Sequence, residues 1–576
     1  MMINKSLGLT ILFFAVSLIT FSQLQVPAFP TAEGYGMYAR GGRGGQVVAV
    51  TNIQDYLTTE TPVVGSLRWA ASQFPGQPLT IVFRTSGVIT LKSDLRIKRD
   101  FLTIAGQTAP GDGIVIRGGK VNMGGCNHLI MRHLRMRIGL RGDTAFIAGG
   151  SIGIENASNF IIDHCTFGWS GEENMTMYDN TLSTVQWCIL HEGLFDAGHL
   201  KGARSYGSQW GGQTATYHHN LLAHHNNRTP RFNGARSNDA RVLMDYINNV
   251  NYNWGKSNSA YGADIVGGTT LFPRWHRVNF INNYYKPGPA RPGASSSFFV
   301  GSSFASAQRV DQIALWYMTG NFMEGSANTD KNENNYLGLD ASAYVSRGIS
   351  AAALRSDTIF PTLYPVKVET AQQAYESVLA KAGAFPRDTV DRRIVNEVRT
   401  GTATGIGTST SNPFFNQTKG IIDNPSVVGG YPEYNTYNTI TDADNDGMDD
   451  AWETANGLNP NNPDDRNLVT VSGYTVLEVY LNSLVSEFIE LKFATSVPEL
   501  EIRGLRVFPS VTSGMIYLQT DEPVMRAYVI SLSGVRLRTF NIADTDMIDV
   551  KDIPGGSYIL QVYAYNKKQH FKFFRD

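Results

Sequence analysis

The sequence has little cysteine, little charge and no excess charge of either sign. Its three cysteines, Cys126, Cys165 and Cys188, cannot form a disulfide framework, and no CxxC pair indicates a zinc site. Only 17% of the 576 residues are charged, and 49 basic residues face 50 acidic ones. No overall field therefore favours nucleic acid or an anionic membrane as a partner, and a site for a polyanion has to be local.

Long apolar runs are also scarce. One stands out at the start, where the residues from Leu7 to Phe21 follow Lys5 and end at Ser22. This run is short for a bilayer span and is charged only before it, so we predict that residues 1–22 are a cleavable secretory signal. A membrane anchor is the alternative. Because no second long apolar segment follows, the mature chain is expected to be exported without a transmembrane segment.

Glycine is abundant, with 57 residues, and so are short runs of β-branched and aromatic residues. A short alternating strand recurs between Val26 and Pro292 and once more after it, and six equivalent positions lie 23 to 38 residues apart. These positions are Cys165, Cys188, Asn220, Asn249, Asn283 and Asn321. No unit could bury its apolar side alone, so successive turns are predicted to stack into a parallel β-helix with Cys165 and Cys188 inside. The irregular spacing fits a β-propeller or a β-sandwich less well.

Composition changes along the rest of the chain. We assign residues 27–399 to the β-helix domain and expect its helix-compatible final part to cover the open end of the stack. Residues 400–435 begin with a run rich in Gly, Thr, Ser and Asn and are predicted to be a linker. Residues 498–576 have the short alternating strands of a compact C-terminal β-sandwich.

The segment TDADNDGMDDAWE matches the calcium-loop pattern D-x-D-x-D-G-x5-E in full. Calcium binds six to eight oxygen atoms, and this spacing wraps them around one ion. The predicted ligands are Asp442, Asp444, Asp446, the carbonyl of Met448, Asp450 (directly or through water) and Glu453. We therefore predict an EF-hand-like module over residues 436–486, in which Ca²⁺ stabilises a segment with few large apolar side chains.

Four ordered motifs between residues 29 and 399 resemble the pectate lyase family of right-handed parallel β-helices. They are GGRGGQVVAVTN, LTIAGQTAPGDGIVIRG, NFIIDHCTF and NNRTPRFNG. The resemblance implies β-elimination of polygalacturonate, usually with Ca²⁺, and gives the role of base to the first arginine of R-x-P, which is Arg228. A free arginine titrates above pH 12, so neighbouring cations and exclusion of water have to supply its neutral form.

Elimination removes the C5 proton, which lies α to a carboxylate, so cations on that carboxylate have the largest effect. Lys201 is the candidate for the second cation, and Arg204 is an equally placed competitor. Arg231 and Arg236 are candidates for holding the carboxylates of neighbouring sugars through bidentate pairs. The family has a further arginine five residues after the base, and Asn233 stands there instead.

The calcium site of the lyase domain departs from the family pattern. The first acidic pair falls on Ala148 and Gly150, and the second retains Glu172 or Glu173 but meets Thr176 or Met177. One or two carboxylates bind Ca²⁺ weakly unless the substrate completes the shell. Any catalytic Ca²⁺ is therefore predicted to be assembled together with the substrate, with Asp143 and Asp179 as possible helpers.

Residues 498–576 resemble the C-terminal sorting domain of type IX secretion in the Bacteroidetes, with an SG turn, a GGSY turn and a basic C-terminus. A carbohydrate-binding sandwich is the alternative. The resemblances together imply a secreted or surface-attached polysaccharide lyase whose partners are a pectic polysaccharide and the type IX machinery. A non-catalytic glycan-binding β-helix or adhesin is the rival hypothesis, and a β-helical hydrolase, which needs paired carboxylates, is a third.

Overall fold

The structure is a computed structural model. It describes residues 26–139, 149–269, 271–292, 297–325, 329–437, 439–493 and, with short gaps, 502–576. The predicted signal sequence, Asp143 and Ala148 lie outside the described residues. The chain divides into two compact units, Met1–Leu491 and Lys492–Asp576.

Most of the first unit is a parallel β-helix of three sheets, and the sequence prediction of this fold is confirmed. Strands are numbered in chain order. Sheet 1 contains β1 (Gln46–Val50), β2 (Leu79–Phe83), β5 (Leu102–Ala105), β8 (Asn127–Arg132), β11 (Ser158–Asp163), β14 (Thr181–Gln186), β17 (Thr214–His218), β20 (Arg241–Ile247), β23 (Trp275–Ile281) and β26 (Leu315–Thr319). Sheet 2 contains β4 (Leu95–Arg96), β7 (Val121–Asn122), β10 (Ile152–Glu155), β13 (Glu173–Tyr178), β16 (Tyr206–Trp210), β19 (Arg231–Phe232), β22 (Asn258–Gly262), β25 (Phe298–Ser302) and β28 (Leu339–Asp340). Sheet 3 contains β3 (Gly87–Thr90), β6 (Ile114–Arg117), β9 (Arg135–Arg137), β12 (Thr166–Gly168), β15 (Ile189–His191), β18 (Leu221–His225), β21 (Val250–Trp254), β24 (Tyr284–Lys286) and β27 (Phe322–Met323).

The repeated positions found in the sequence lie on top of one another inside the coil. Cys165 and Cys188 are fully buried and unpaired, as predicted. The amide side chain of Asn220 accepts the backbone N–H of Cys188 at 2.9 Å, and that of Asn249 accepts the backbone N–H of Asn220 at 3.0 Å. Asn283 continues the ladder. These buried amides satisfy the backbone groups at the bends between sheets, where no strand partner is available.

The helices of the first unit are short, and none in the described part of the chain has the length and apolar character needed to span a bilayer. They are α1 (Leu67–Ser72), α2 (Thr329–Glu333), α3 (Ser342–Val345), α4 (Ala371–Lys381), α5 (Thr389–Thr400), α6 (Asp450–Ala455) and α7 (Val476–Ser483). Single 3₁₀ turns occur at Gly106–Thr108, Asn335–Gly338, Ala351–Leu354, Pro425–Val428 and Asp465–Asn467.

The segments after the β-helix pack differently from the sequence prediction. Helices α4 and α5 lie on the outer face of sheet 3 and not over the end of the stack, because outward residues such as Leu221 and Val250 are apolar and need cover. Tyr344 and Leu354 pack instead into the core near the last turns.

The stretch 400–435, predicted to be a linker, also contacts the β-helix. The Tyr431 hydroxyl donates to the carbonyl of Arg137 at 2.6 Å, and the Ile422 carbonyl accepts the N–H of Phe195 at 2.8 Å. The polar composition of this stretch therefore reflects hydrogen bonding to the surface of the β-helix, and it does not indicate a free linker.

The segment with α6 and α7 lies against the first turns of the β-helix. Arg43 pairs with Glu478 at 2.7 Å, and Arg84 pairs with Asp442 at 2.7 Å. Arg132 donates to the amide oxygen of Asn482 at 2.9 Å. Three arginines of the β-helix, of which Arg132 is buried, therefore hold this segment in place.

The second unit has two sheets that share one apolar core. The three-stranded sheet contains β29 (Arg506–Phe508), β31 (Met515–Gln519) and β34 (Met547–Asp549). The five-stranded sheet contains β30 (Val511–Thr512), β32 (Arg526–Ser531), β33 (Arg536–Asn541), β35 (Gly556–Ala564) and β36 (Lys567–Arg575). Ile516 and Ile548 of the first sheet and Val529 and Leu560 of the second belong to this core.

Candidate functional site

The candidate site lies on the outer face of sheet 2, where polar residues of successive turns are in register. Residues between them, such as Met175, Met177 and Trp210, face the core. We call these aligned outward positions the outer row. It consists of Arg96, Asn122, Gly153, Thr176, Gln209, Arg231 and Tyr261.

Arg228 reaches this face from the bend just before β19. It has a left-handed backbone with φ of 59°, and its guanidinium lies 4.1 Å from the centre of the Tyr206 ring. Nε donates to the Tyr261 hydroxyl and Nη1 to the Gln209 side-chain oxygen, both at 3.2 Å. The side chain is 17% exposed, so it lies on the sheet surface and not in the interior.

The charge state of Arg228 is under opposing influences. Burial lowers the pKa of Arg228, and the nearby charge of Arg231 lowers it further. Glu173, however, accepts a hydrogen bond from Nη1 and stabilises the protonated form. A carboxylate in this position has to be neutralised or displaced before Arg228 can accept a proton.

The acidic residues expected to hold a catalytic calcium ion do not converge. Glu173 forms an ion pair with Arg228, while Oε1 of Glu172 lies 3.5 Å from Nε2 of His199. Gly150 offers no side chain, Thr176 lies in the outer row, and Met177 is in the core. Asp179 makes two hydrogen bonds with Arg236, both 2.9 Å long. The described residues therefore do not fit a preformed calcium site beside Arg228.

Of the two candidates for the second cation, the structure brings Arg204 close to the base. Its guanidinium lies 5.3 Å from the centre of the same Tyr206 ring, and it donates to the Tyr206 hydroxyl at 3.3 Å. Lys201 lies in the same loop as Arg204, before β16, but it is exposed. Its backbone N–H donates to the ring of His199. The guanidinium groups of Arg204 and Arg228 therefore both lie over the ring of Tyr206.

Arg231 and Arg236 each stack on a tyrosine of sheet 2. Arg231 lies 5.8 Å from the Tyr261 ring and 3.5 Å from Asp264, and its side chain is 29% exposed. Arg236 lies 4.0 Å from the Tyr178 ring. Sequence reasoning missed these tyrosines because only strand register places them beneath the arginines. Stacking holds a guanidinium in a fixed orientation while leaving its N–H groups free for an anion.

A second cluster lies in the loop before α6. The carboxylates of Asp442, Asp444 and Asp446 offer oxygen atoms within 4.8 Å of one another, and Asp446, Glu453 and Asp465 form an overlapping group. Asp465 was not predicted from the sequence, because it lies outside the loop motif. The Oδ1 atom of Asp450 accepts the backbone N–H of Ala443 at 2.9 Å, which favours the water-mediated contact among the two that the sequence left open.

This second cluster fits a hard cation. Both Glu453 carboxylate oxygens, Oδ2 of Asp446 and Oδ1 of Asp465 are buried without a hydrogen-bond partner among the described residues. Burial, together with repulsion from Asp446, raises the pKa of Glu453 to about 8. Burial likewise raises the pKa of Asp446 to about 7. Buried carboxylates without a counter-charge are costly, and an oxygen-binding divalent ion removes that cost.

Comparisons with known proteins found relatives by sequence and a solved structure of similar fold. A protein named probable pectate lyase C from Aspergillus flavus is 31% identical over 472 residues, which cover 82% of this chain and 96% of the relative. Its counterpart from Aspergillus fumigatus is 31% identical over 477 residues, covering 82% of this chain and 97% of the relative. The crystal structure of jun a 1, the major cedar pollen allergen, matches with a TM-score of 0.42 and 16% identity, covering 61% of this chain and 92% of that one. No family model matches the chain.

Proposed function

The chain belongs to the pectate lyase family, and on this premise we propose that it cleaves polygalacturonate or a related pectic chain by β-elimination. The observation that carries the proposal is the placement of Arg228 on the outer face of sheet 2, stacked on Tyr206 with Arg204 and Arg231 nearby. A polyanionic chain crossing the strands would meet these cations in succession.

In the proposed reaction, neutral Arg228 takes the C5 proton of a uronate unit. The electron pair of the C5–H bond forms the C4=C5 double bond, the C4–O4 bond breaks, and the leaving oxygen takes a proton from water. Negative charge grows on the carboxylate attached to C5, so Arg204, or Lys201 after movement of its turn, stabilises it. Arg231 and Arg236 are proposed to hold carboxylates of neighbouring units.

The ion pair between Glu173 and Arg228 opposes this step in the free protein. Burial and the charge of Arg231 favour neutral Arg228, and binding of substrate would exclude more water from the same surface. We propose that productive binding separates Arg228 from Glu173.

Calcium dependence of catalysis stays a prediction. The acidic side chains near Arg228 are too few for a preformed site, so a catalytic ion would need carboxylates of the substrate. Loss of activity in EGTA, with no calcium bound to the substrate-free lyase face, is the expected result. Full activity without any divalent ion would exclude the idea.

The decisive experiment follows the unsaturated product by its ultraviolet absorbance during incubation with polygalacturonate. We expect Arg228→Ala to lower kcat by about 10²- to 10⁴-fold, the usual contribution of a general base. Arg241→Ala is the matched control, because Arg241 is exposed at the start of β20 in sheet 1. An Arg228→Ala variant with normal product formation would refute the assigned role. Binding without cleavage would support the glycan-binding alternative, and saturated products would indicate hydrolysis.

We also propose that the loop before α6 holds a structural Ca²⁺. The proposed ligands are the carboxylates of Asp442, Asp444, Asp446, Glu453 and Asp465 and the carbonyl of Met448, with Asp450 reaching the ion at most through water. Arg84 contacts both Asp442 and the Met448 carbonyl, so the loop is tied to the β-helix at the ion site itself.

Secretion is the remaining part of the proposal. The two-sheet core of residues 502–576 supports a separate C-terminal domain, which we propose to be a type IX sorting domain recognised by that machinery. The protein would then act outside the cell or on its surface. A chain truncated after residue 491 should keep lyase activity but remain unexported in a type IX-competent host; normal export would exclude the sorting role.

A further inference from the structure

Lys120 lies over Gly153, a glycine of the outer row. A Cβ atom placed on Gly153 would be 2.6 Å from Cε and 2.7 Å from Nζ of Lys120. The neighbours of Gly153 on β10, Ile152 and Ile154, face the core, so this position points away from it. The ammonium group of Lys120 therefore rests on the outer face of sheet 2.

The backbone conformation at position 153 does not require glycine. Gly153 lies inside a strand and does not have the positive φ that favours glycine. Glycine in a strand costs about 0.5–1 kcal/mol relative to alanine, and it often marks a place where another group comes close. Here the group that comes close is the end of the Lys120 side chain.

Among the described residues, no acidic group neutralises the charge of the Lys120 amine. Its backbone N–H donates to Asp94 at 3.0 Å, but no ion pair or side-chain hydrogen bond of the amine is found in the described part of the chain. The residue is half-buried. A half-buried ammonium without a counter-charge is suited to receive an anion.

Register places this amine in line with the proposed catalytic arginine. Gly153 pairs with Thr176, and Thr176 pairs with Gln209, whose side chain accepts from Arg228. Neighbouring strands lie about 4.8 Å apart, so the amine is about 10 Å from the Gln209 position along the outer row. Arg231 lies on the opposite side of Gln209, one strand further on.

We propose that Lys120 binds the carboxylate of a uronate unit on the side of Arg228 that faces the first turns of the β-helix. The inference rests on the proposed function for the identity of the substrate, and it names a binding residue that the family motifs do not include. Lys120 and Arg231 then flank the cleaved unit, and Gly153 provides the space for the ammonium group.

The test measures both turnover of polygalacturonate and calorimetric binding of an oligogalacturonate. Lys120→Ala should raise KM and the dissociation constant by about tenfold, the usual effect of losing a charge-assisted hydrogen bond, with kcat nearly unchanged. Lys120→Arg should recover most of the binding. Lys92→Ala is the matched control, because the Lys92 amine is exposed and pairs with Glu60.

Gly153→Ala gives an independent readout. The added methyl group meets only the flexible end of Lys120, so the variant should fold while moving the ammonium group. It should weaken binding in the wild-type background and have little further effect when combined with Lys120→Ala. Additive effects of the two changes would overturn the inference.

The two proposals fail in different ways. Unchanged binding and KM in Lys120→Ala, with an active parent, would overturn the role of Lys120 alone. A parent that binds oligogalacturonate without forming unsaturated product would overturn the lyase proposal, while the binding data would still decide the role of Lys120. A parent that neither binds nor cleaves would overturn both.

Discussion

Replacing Asp465 tests whether the loop before α6 uses a ligand from outside its own motif. Asp465→Asn removes one negative charge but keeps the size of the side chain and its ability to accept the backbone N–H of Asn459, which it does at 3.3 Å. The motif alone predicts Asp450 as the more important residue. The structure predicts the opposite, because the Asp450 carboxylate is turned toward Ala443 and that of Asp465 toward Asp446 and Glu453.

The expected magnitude follows from ligand charge and mass action. Four carboxylates line the cluster with buried oxygens that have no hydrogen-bond partner among the described residues, namely those of Asp444, Asp446, Glu453 and Asp465. Ligand charge tunes calcium affinity over several orders of magnitude, so losing one of the four is expected to weaken binding by roughly 100-fold. With free Ca²⁺ at 100 times the dissociation constant of the parent, the ion contributes about 2.7 kcal/mol, and most of this is lost in Asp465→Asn.

Local measurements suit this prediction better than a melting temperature, because the loop is a small part of a large unit. Hydrogen exchange of the amides in α7 should accelerate about 100-fold in EGTA, and in Asp465→Asn it should be nearly as fast with Ca²⁺ present. Calcium titration by calorimetry gives the affinities directly. Asp450→Asn is the control and should stay close to the parent. Equal calcium affinity of Asp465→Asn and the parent, or a larger loss in Asp450→Asn, would refute the reasoning.

Three further predictions concern the β-helix. Asn249→Ala should destabilise the protein by about 2–5 kcal/mol in urea unfolding, because it leaves the buried backbone N–H of Asn220 and the carbonyl of Tyr217 without their side-chain partner; a loss below 1 kcal/mol would contradict this. Burial raises the pKa of Asp239 to about 7, so its contribution to stability is full below pH 4 and is lost as the pH rises toward 7; Asp239→Asn should flatten the pH dependence of unfolding in that window. Tyr206→Leu should lower kcat about tenfold through misplacement of Arg228, while Tyr206→Phe, which keeps the ring, should lose much less.

The repeat could be predicted from the sequence because residues with the same structural role recur at equivalent positions of successive turns. Cys188, Asn220 and Asn249 each occupy the same bend, where a small or amide side chain faces the interior. The positions of α4 and α5 could not be predicted in this way. Their location depends on which outward residues of sheet 3 are apolar, and strand alternation was not resolved well enough in the sequence to show that Leu221 needs cover.

The candidate site was predicted in its residue types but not in its pairings. Arg228 could be found from a local motif, and Glu173 from its alignment with a family position. Nothing in the sequence showed that these two side chains form an ion pair. Asp465 was missed for the same reason, since it enters the cluster from beyond α6. Local motifs identify groups that can do chemistry, whereas register and loop packing decide which charges neutralise one another.

The pairing of Arg228 with Glu173 has a consequence for how such a face selects its ligand. In the free protein the positive charge of Arg228 is offset by the carboxylate of Glu173, and that of Arg236 is offset in the same way by Asp179. A single anion gains little by competing with these carboxylates, because the internal pairs are already aligned. A chain of uronates reaches several cations at once, including those with weaker internal partners, and its carboxylates act at high effective concentration. The arrangement therefore favours a polymer over a free acid sugar, which agrees with the alignment of the outer row across successive turns.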